Sequence, residues 1–188
     1  MSAYIISRKK NKYTRFAQFM ITTPMLIPFQ TIMITLLKVM NVVNLSGSKV
    51  GLGIQYWGFG IPMAAFIYGN FMSTIPKELD ESAFIDGAGT FRTYRSIIFP
   101  LLKSVTFTVI VIDVMWIWND FLLPLLMVNS SNETKTLVLS AYTFVGQFNT
   151  QWHYAMAAMV LAVLPSIIIF IFLQKYIVEG VVAGAVKG

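Results

Sequence analysis

Apolar residues along the chain gather into four stretches, at residues 16–37, 52–72, 104–127 and 154–173. Each has about the 20 residues that an α-helix needs to cross the hydrocarbon of a bilayer. Each stretch contains at least one proline, and in a membrane neighbouring helices can satisfy the backbone groups that a proline frees. The pattern therefore predicts an all-α, polytopic membrane helical bundle with about four transmembrane helices, in a single domain that covers residues 1–188.

A long polar segment, residues 74–103, separates the second and third apolar stretches. Seven charged residues fall between Lys77 and Arg95. At about 3 kcal/mol for each charge at the bilayer centre, burying them in lipid would cost roughly 20 kcal/mol. We therefore expect this segment to lie outside the hydrocarbon.

The basic residues indicate on which side of the membrane the segment lies. If the four stretches cross in alternation, eleven of the 14 Lys and Arg share one side, in the N-terminus, segment 74–103 and the C-terminus. The other three are Lys38, Lys49 and Lys135. An excess of Lys and Arg marks the cytoplasmic side, so both termini and segment 74–103 are predicted to be cytoplasmic.

Segment 74–103 is predicted to fold as a helix, a glycine break and a second short helix. Ser73 or Thr74 could cap the first helix, with Pro76 in its first turn. Three acidic residues would then lie near the positive end of its dipole: Glu78, Asp80 and Glu81. Gly87 and Gly89 would end it.

The second helix would start near Thr90 and stop before Pro100. Leu79, Ala83 and Gly87 recur every four residues and would form a small flat stripe on the first helix. A solvated linker between spans is one interpretation of this segment. Because a flexible linker needs no caps, breaks or apolar stripe, a docking element for a cytoplasmic partner is the alternative that we favour.

Composition narrows the function further. The chain has no Cys and a single His, His153, so a thiolate site, a disulfide framework or a cluster of imidazole ligands is excluded, and no metal site is expected. The basic residues flank apolar stretches instead of covering a polar surface, which disfavours nucleic acid as a partner. The sequence contains no phosphate-cradling G-x-x-x-x-G-K-[ST] motif, so we expect no bound nucleotide or other cofactor.

Three polar residues in the third stretch are candidates for a translocation pathway: Asp113, Asn119 and Asp120. A carboxylate inside a membrane is functional by default, although Asp113 could also be a hydrogen-bonding group between helices. The neighbouring Trp116, Trp118 and Phe121 could stack on a ring of a transported solute, but such aromatics more often serve packing or interfacial belts.

Residues 81–88 followed by Ile97 and Pro100 resemble the EAA motif of ABC importer permeases, which reads E-A-A, three residues, G, nine residues, then I-x-L-P. Ser82 stands next to Glu81 where the motif has Ala, and Phe99 stands where Leu is usual. Residues 116–124, W-I-W-N-D-F-L-L-P, and the C-terminal run 174–188 are similar to the carbohydrate branch of that family, the maltose-type and multiple-sugar-type permeases. The resemblance covers almost the whole chain.

The resemblance implies a non-catalytic translocation subunit of an ATP-driven sugar importer. Segment 74–103 would be its coupling loop, which seats on a cytoplasmic ATP-binding subunit. The other implied partners are a second permease subunit and an extracytoplasmic solute-binding protein. The matching positions for ATPase coupling are Glu81, Ser82, Ala83, Asp86, Gly87, Ala88, Ile97 and Pro100, and the tail 183–188 would reach the same interface.

Such permeases usually have six spans, and residues 1–8 resemble the end of the second. The resemblance therefore implies a chain shortened at its N-terminus.

Two rival functions stay open. A self-contained channel or ion-coupled transporter would need several intramembrane carboxylates or a discontinuous helix pair. A membrane-embedded enzyme would need clustered nucleophile, base or metal ligands.

Overall fold

The computed structural model describes residues 1–129, 133–145 and 150–185, with the side chains of the last helix described as far as Gln174. The described part of the chain forms eleven α-helices: α1 Ser2–Arg8, α2 Lys12–Thr22, α3 Phe29–Val42, α4 Lys49–Thr74, α5 Glu78–Ile85, α6 Thr90–Thr93, α7 Phe99–Leu101, α8 Lys103–Asn119, α9 Leu122–Val128, α10 Leu137–Tyr142 and α11 Trp152–Ala185. A 3-10 turn follows α2, and a π-helical segment, Tyr94–Ile98, lies between α6 and α7. The all-α prediction is confirmed.

Among the described residues, two helices are long and apolar enough to cross a membrane, Lys49–Thr74 and Trp152–Gln174. They contain the second and fourth predicted stretches. Pro62 and Pro165 lie inside them and end neither helix. Both stretches are therefore continuous helices, as expected.

The first predicted stretch is not one straight helix. Lys12–Leu26 and Phe29–Val42 meet at an angle of 104°. Pro28 sits at this bend with φ −59° and ψ 134°, outside the helical region. A proline also pushes the residue before it away from helical angles, so the helix cannot run through residues 27 and 28. Taken together the two pieces have the composition of one broken span.

The third predicted stretch is also interrupted. The helix α8 ends at Asn119, α9 begins at Leu122, and Asp120 and Phe121 between them belong to neither helix. The expectation of one helix over residues 104–127 is therefore wrong. On the other side, Thr90–Leu101 meets α8 at an angle of 71°. With both bent pairs counted as single spans, the part of the chain that the structure describes has up to four candidate spans.

The chain divides into two compact units. The first contains residues 1–26, 59–110 and 173–188, and the second contains residues 27–58 and 111–172. The divisions at residues 58, 110 and 172 fall inside α4, α8 and α11. The buried core of the first unit consists of Tyr4, Met72, Ile75, Ile98, Leu102 and Val105.

Apolar side chains face outward along α11. Those at least 43% exposed between residues 156 and 171 are Met156, Met159, Val160, Leu161, Val163, Leu164, Ile167, Ile168, Phe170 and Ile171. Water would disfavour so large an apolar surface, whereas lipid chains would cover it. The surface of α11 thus fits the predicted membrane location.

The loop between α9 and α11 contains the short helix α10. Leu139 and Ala141 of this helix are buried. Residues 130–132 and 146–149 of this loop lie outside the described residues. So do the side chains of the tail 183–188, for which the resemblance implied an interface role.

Candidate functional site

The first helix of segment 74–103, α5, ends in the predicted glycine. Gly87 has φ +76°. Its N–H donates to the carbonyl of Phe84 at 3.0 Å, and the N–H of Ala88 donates to the carbonyl of Ala83 at 2.9 Å. These two bonds form a Schellman motif, which needs a left-handed residue at the position of Gly87. The end of α5 is therefore specified by local sequence.

The start of α5 differs from the prediction. The helix begins at Glu78, and Lys77 precedes it without a side-chain cap. The hydroxyls of Ser73 and Thr74 instead donate back to the carbonyls of Asn70 and Phe71, at 2.6 and 2.8 Å. Capping of α5 by these residues is therefore wrong, because α4 continues to Thr74 and uses both hydroxyls at its own last turn.

The acidic first turn of α5 is confirmed, but one of its carboxylates has a second role. Asp80 is only 6% exposed. Its Oδ2 lies 2.8 Å from Nη2 of Arg8 in α1, and its Oδ1 accepts a hydrogen bond from the phenol of Tyr4. Removing one partner of such a buried ion pair costs about 3–5 kcal/mol, because the other charge stays buried and unpaired.

Arg8 also holds the chain just before α5. Its Nη1 donates to the carbonyl of Ile75 at 3.0 Å, and its Nη2 donates to that of Pro76 at 3.3 Å. This contact was not predicted: the basic residues of the N-terminus indicated only orientation, and Asp80 only a charge near the helix dipole. The sequence contains a weak indication that Asp80 faces inward: it lies three residues before Ala83 and thus on the same helix face.

The predicted coupling residues divide between two faces of the segment. Glu81, Ser82, Asp86 and Gly87 are exposed, and Ala88 is half-buried. Ala83 is 3% exposed and faces the interior of its own unit. Ile97 packs beside the core, and Pro100 is exposed.

Three apolar side chains join the exposed face and were not predicted. Ile85 is 86% exposed, Phe91 65% and Phe84 48%. The charges of this segment keep it out of lipid, so these side chains would face water. We call Glu81, Phe84, Ile85, Asp86 and Phe91 the loop surface. Exposed apolar groups with a polar rim are typical of a contact surface for another protein.

The second helix of the segment starts at Thr90, as predicted, but it does not stop before Pro100. It continues through the π-helical segment into α7, which ends at Leu101. The N–H of Phe99 donates to the carbonyl of Tyr94, the five-residue spacing of a π-helix. Pro100 follows directly after the π-helical segment, at the start of α7.

The break after α8 brings two of the three pathway candidates into hydrogen-bonded positions. Asp120 Oδ2 accepts from the phenol of Tyr56 at 3.0 Å, and its Oδ1 accepts from the N–H of Leu122 at 3.2 Å. Ser166 in α11 donates to Asn119 Oδ1 at 3.3 Å. The break is therefore held by side chains from α4, α8 and α11.

The aromatic residues near this break already have protein contacts. Trp118 Nε1 donates to the carbonyl of Ala162 at 2.9 Å, one turn before Pro165 in α11. The rings of Trp116 and Tyr56 meet edge to face at 5.6 Å, and those of Phe121 and Tyr142 at 5.0 Å. These contacts are those of packing residues.

Asp113 lies apart from the other two candidates. It is six positions before Asn119 in α8, so its side chain leaves the helix about 120° away. It is half-buried, and within the described ranges no hydrogen bond or ion pair to it is observed.

A cavity of about 360 Å³ lies beside Asn119. Its lining is mostly apolar: Asn119, Phe121, Val138, Ala141, Tyr142, Met159, Ala162 and Val163. Within the described ranges, no group of three or more His, Cys, Asp or Glu could hold a metal ion.

The fold and the site together define a class, a polytopic α-helical membrane protein with a structured, charged loop outside the lipid. The family model for the binding-protein-dependent transport system inner membrane component matches residues 1–182. The chain belongs to this family. The resemblance inferred from the EAA-like residues is thereby confirmed, and the family comprises transport components and not enzymes.

Individual relatives agree with this assignment. The chain is 41% identical to the probable starch degradation products transport system permease protein AmyC of Thermoanaerobacterium thermosulfurigenes, 35% to the multiple sugar-binding transport system permease protein MsmG of Streptococcus mutans, and 33% to the melibiose/raffinose/stachyose import permease protein MelC of Bacillus subtilis. Each match covers at least 99% of this chain and 68% of the relative.

A solved structure shares the fold. It is the crystal structure of a bacterial ABC transporter involved in the import of the acidic polysaccharide alginate, with a TM-score of 0.76 and 20% identity. The match covers 93% of this chain and 65% of the solved chain.

Proposed function

We propose that this chain is the translocation subunit of an ATP-driven, binding-protein-dependent sugar importer in a bacterial cytoplasmic membrane. The family supports the transport role. Sugar as the substrate class is supported by AmyC, MsmG and MelC, whose names refer to starch degradation products, multiple sugars and melibiose, raffinose or stachyose.

Segment 74–103 is the coupling loop in this proposal. The observation that carries it is Ile85, an apolar side chain 86% exposed on a helix whose charges exclude it from lipid. The loop surface seats on a cytoplasmic ATP-binding subunit, with Glu81 and Asp86 for polar contacts, and nucleotide-driven closure displaces α5. A helix with a defined end and a buried anchor transmits displacement, whereas a flexible linker would absorb it.

The other predicted coupling positions support the loop in two ways. Ala83 and Ile97 lie on its inner side and set the position of the helices, and Gly87 ends α5. Ser82, Ala88 and Pro100 belong to the outer side or its edge.

Both termini and the loop are cytoplasmic in this proposal. The orientation is inferred from the distribution of the Lys and Arg residues.

The further partners are a second permease subunit and an extracytoplasmic solute-binding protein. The family description, a binding-protein-dependent transport system, supports the latter. ATP is bound by a separate subunit, because this sequence has no phosphate-cradling motif.

Asp113, Asn119 and Asp120 are the pathway candidates of this proposal. Asn119 and Asp120 shape the helix break through their bonds to Ser166 and Tyr56. Asp113 is the candidate best suited to meet substrate. Asp113→Asn should therefore lower sugar uptake in vesicles without lowering thermal stability, and unchanged uptake would contradict its pathway role.

A self-contained channel or secondary transporter is the second candidate function. The interruption between α8 and α9 favours it, since discontinuous helices often line ion and substrate sites in such transporters. The two functions differ in their need for an ATP-binding subunit, which gives a direct experiment.

The experiment is a pull-down of the ATP-binding subunit from membranes that contain the full transporter. The tagged wild-type chain should retain that subunit. Ile85→Glu should weaken retention by about 30-fold or more, because a charge at the centre of an apolar contact costs at least about 2 kcal/mol. Ser96→Glu is the matched control, since it adds the same charge at another exposed position of the segment.

Equal retention by Ile85→Glu and wild type would contradict docking through the loop surface. Failure of the wild-type chain to retain any ATP-binding subunit, in membranes where that subunit is present, would favour the channel or secondary transporter.

A further inference from the structure

The contact between α1 and α5 suggests a role for residues that lie outside the EAA-like motif. Asp80 points into the first unit, whereas Ile85 and Glu81 of the same helix face outward. One face of α5 is thus available to a partner, and the opposite face is bonded to α1. We propose that Tyr4 and Arg8 are positioning residues of the coupling loop, which hold Asp80 so that α1 moves together with α5. This inference rests on the proposed function of the loop.

The number and direction of the contacts support this arrangement. Arg8 makes three bonds to the loop: the 2.8 Å ion pair with Asp80 and the bonds to the carbonyls of Ile75 and Pro76. A guanidinium is planar and its donors are fixed relative to each other, so several simultaneous bonds restrict rotation as well as separation. The connection between α4 and α5 is therefore held at its backbone and at the first turn of α5.

Tyr4 adds a second attachment from the same helix. Its phenol donates to Asp80, and its ring packs against Tyr94 of the π-helical segment with 5.4 Å between centroids. The helix α1 consequently contacts the coupling loop on both sides of its glycine break.

These contacts are buried, which favours a rigid link. Asp80 is 6% and Tyr4 3% exposed. Water therefore competes little for these bonds, and the local dielectric strengthens them. If a bound partner displaces α5, breaking the link would leave the Asp80 carboxylate without its counter-ion in the interior. Moving α1 along with α5 avoids that cost.

The test measures whether α1 and α5 move as one. Because the chain has no Cys, single cysteines introduced at Ile5 and Lys77, both exposed, accept spin labels selectively. Electron paramagnetic resonance then gives the distance between the labels in the assembled transporter, without nucleotide and with ATP trapped. In the otherwise wild-type chain this distance should not change. In Asp80→Asn and Tyr4→Phe it should shift or split into two populations when ATP is trapped.

Glu78→Gln is the matched control, because it neutralises an exposed carboxylate in the same helical turn; its label distance should stay constant. Asp80→Glu, which keeps the charge, should restore part of the wild-type behaviour. If Asp80→Asn does not assemble, Tyr4→Phe decides the question, since it removes one hydroxyl and keeps the ring.

A distance that changes with ATP in the wild-type background would overturn the proposal. So would constant distances in both Asp80→Asn and Tyr4→Phe. Either result with the ATP-binding subunit still retained leaves the function of the loop intact. Loss of that subunit from the wild-type chain would instead count against the proposed function itself.

Discussion

The phenol of Tyr56 donates a 3.0 Å hydrogen bond to the carboxylate of Asp120, 64 positions later in the chain. Asp120 lies at the break between α8 and α9, and its other oxygen accepts from the backbone N–H of Leu122. One carboxylate therefore bonds both to Tyr56 in α4 and to the first backbone N–H of α9. The break is a bonded feature of the fold, with a specific partner for the residue at its centre.

Tyr56→Phe should lower the free energy of unfolding by about 1–3 kcal/mol, because the half-buried Asp120 loses a donor. Thermal unfolding in detergent micelles measures this loss. Tyr142→Phe is the control: Tyr142 is 53% exposed, and its ring contact with Phe121 does not need the hydroxyl. Equal stability of the two variants would show that the Tyr56 bond contributes nothing.

Gly87→Ala should destabilise the coupling loop by about 1–2 kcal/mol, because an alanine at φ +76° places its Cβ against the backbone. Gly89→Ala is matched to it. Beyond the adjoining residues of the chain, a Cβ at either glycine would meet no atom within 4 Å, but Gly89 has φ −72°. The difference between the unfolding temperatures of the two variants measures the cost of the left-handed backbone conformation at position 87. A Gly89→Ala variant as unstable as Gly87→Ala would contradict the assignment of the helix end.

Trp118→Phe should cost about 0.5–1.5 kcal/mol of stability, because the carbonyl of Ala162 loses the indole donor and keeps only its helical N–H donor. Trp57→Phe, at a side chain that is 76% exposed, should change stability by less than about 0.5 kcal/mol. Thermal unfolding of both variants tests the difference, and two equal shifts would argue against the bond.

The predicted orientation can be tested with single cysteines. Ser82→Cys lies in the coupling loop and Ser46→Cys lies between α3 and α4, and both positions are exposed. A membrane-impermeant maleimide added to intact cells should label Ser46→Cys and leave Ser82→Cys unlabelled until the membrane is permeabilised. The opposite pattern would place the coupling loop outside the cell, where no cytoplasmic subunit could reach it.

Much of the fold was predictable because its signals are local. Hydrophobic runs located α4 and α11, and the charges of residues 77–95 set the polar loop apart. The helix end at Gly87 follows from one glycine and the geometry of a single helical turn. The start of the second loop helix at Thr90 was equally local. Each of these features depends on residues within a few positions of one another.

The predictions that failed concern helix ends and bends for which the sequence allows more than one local structure. Packing between the helices determines which of these structures forms. Ser73 and Thr74 are suitable caps in sequence, yet the continuation of α4 uses their hydroxyls elsewhere. Pro28 lies in an apolar run much as Pro62 does, yet only Pro28 accompanies a sharp bend. Pro100 was expected to stop a helix, but the π-helical segment before it accommodates the ring.

The sequence by itself determined that this chain enters a membrane, where its polar loop begins and ends, and to which family it belongs. Only the tertiary structure decided that Asp80 faces inward to Arg8 and Tyr4, that Ile85 faces outward, and that Asp120 meets Tyr56. The physical reason is separation along the chain. Helix formation and transfer to lipid depend on short segments, whereas these bonds join residues 64 to 76 positions apart and exist only once the helices pack.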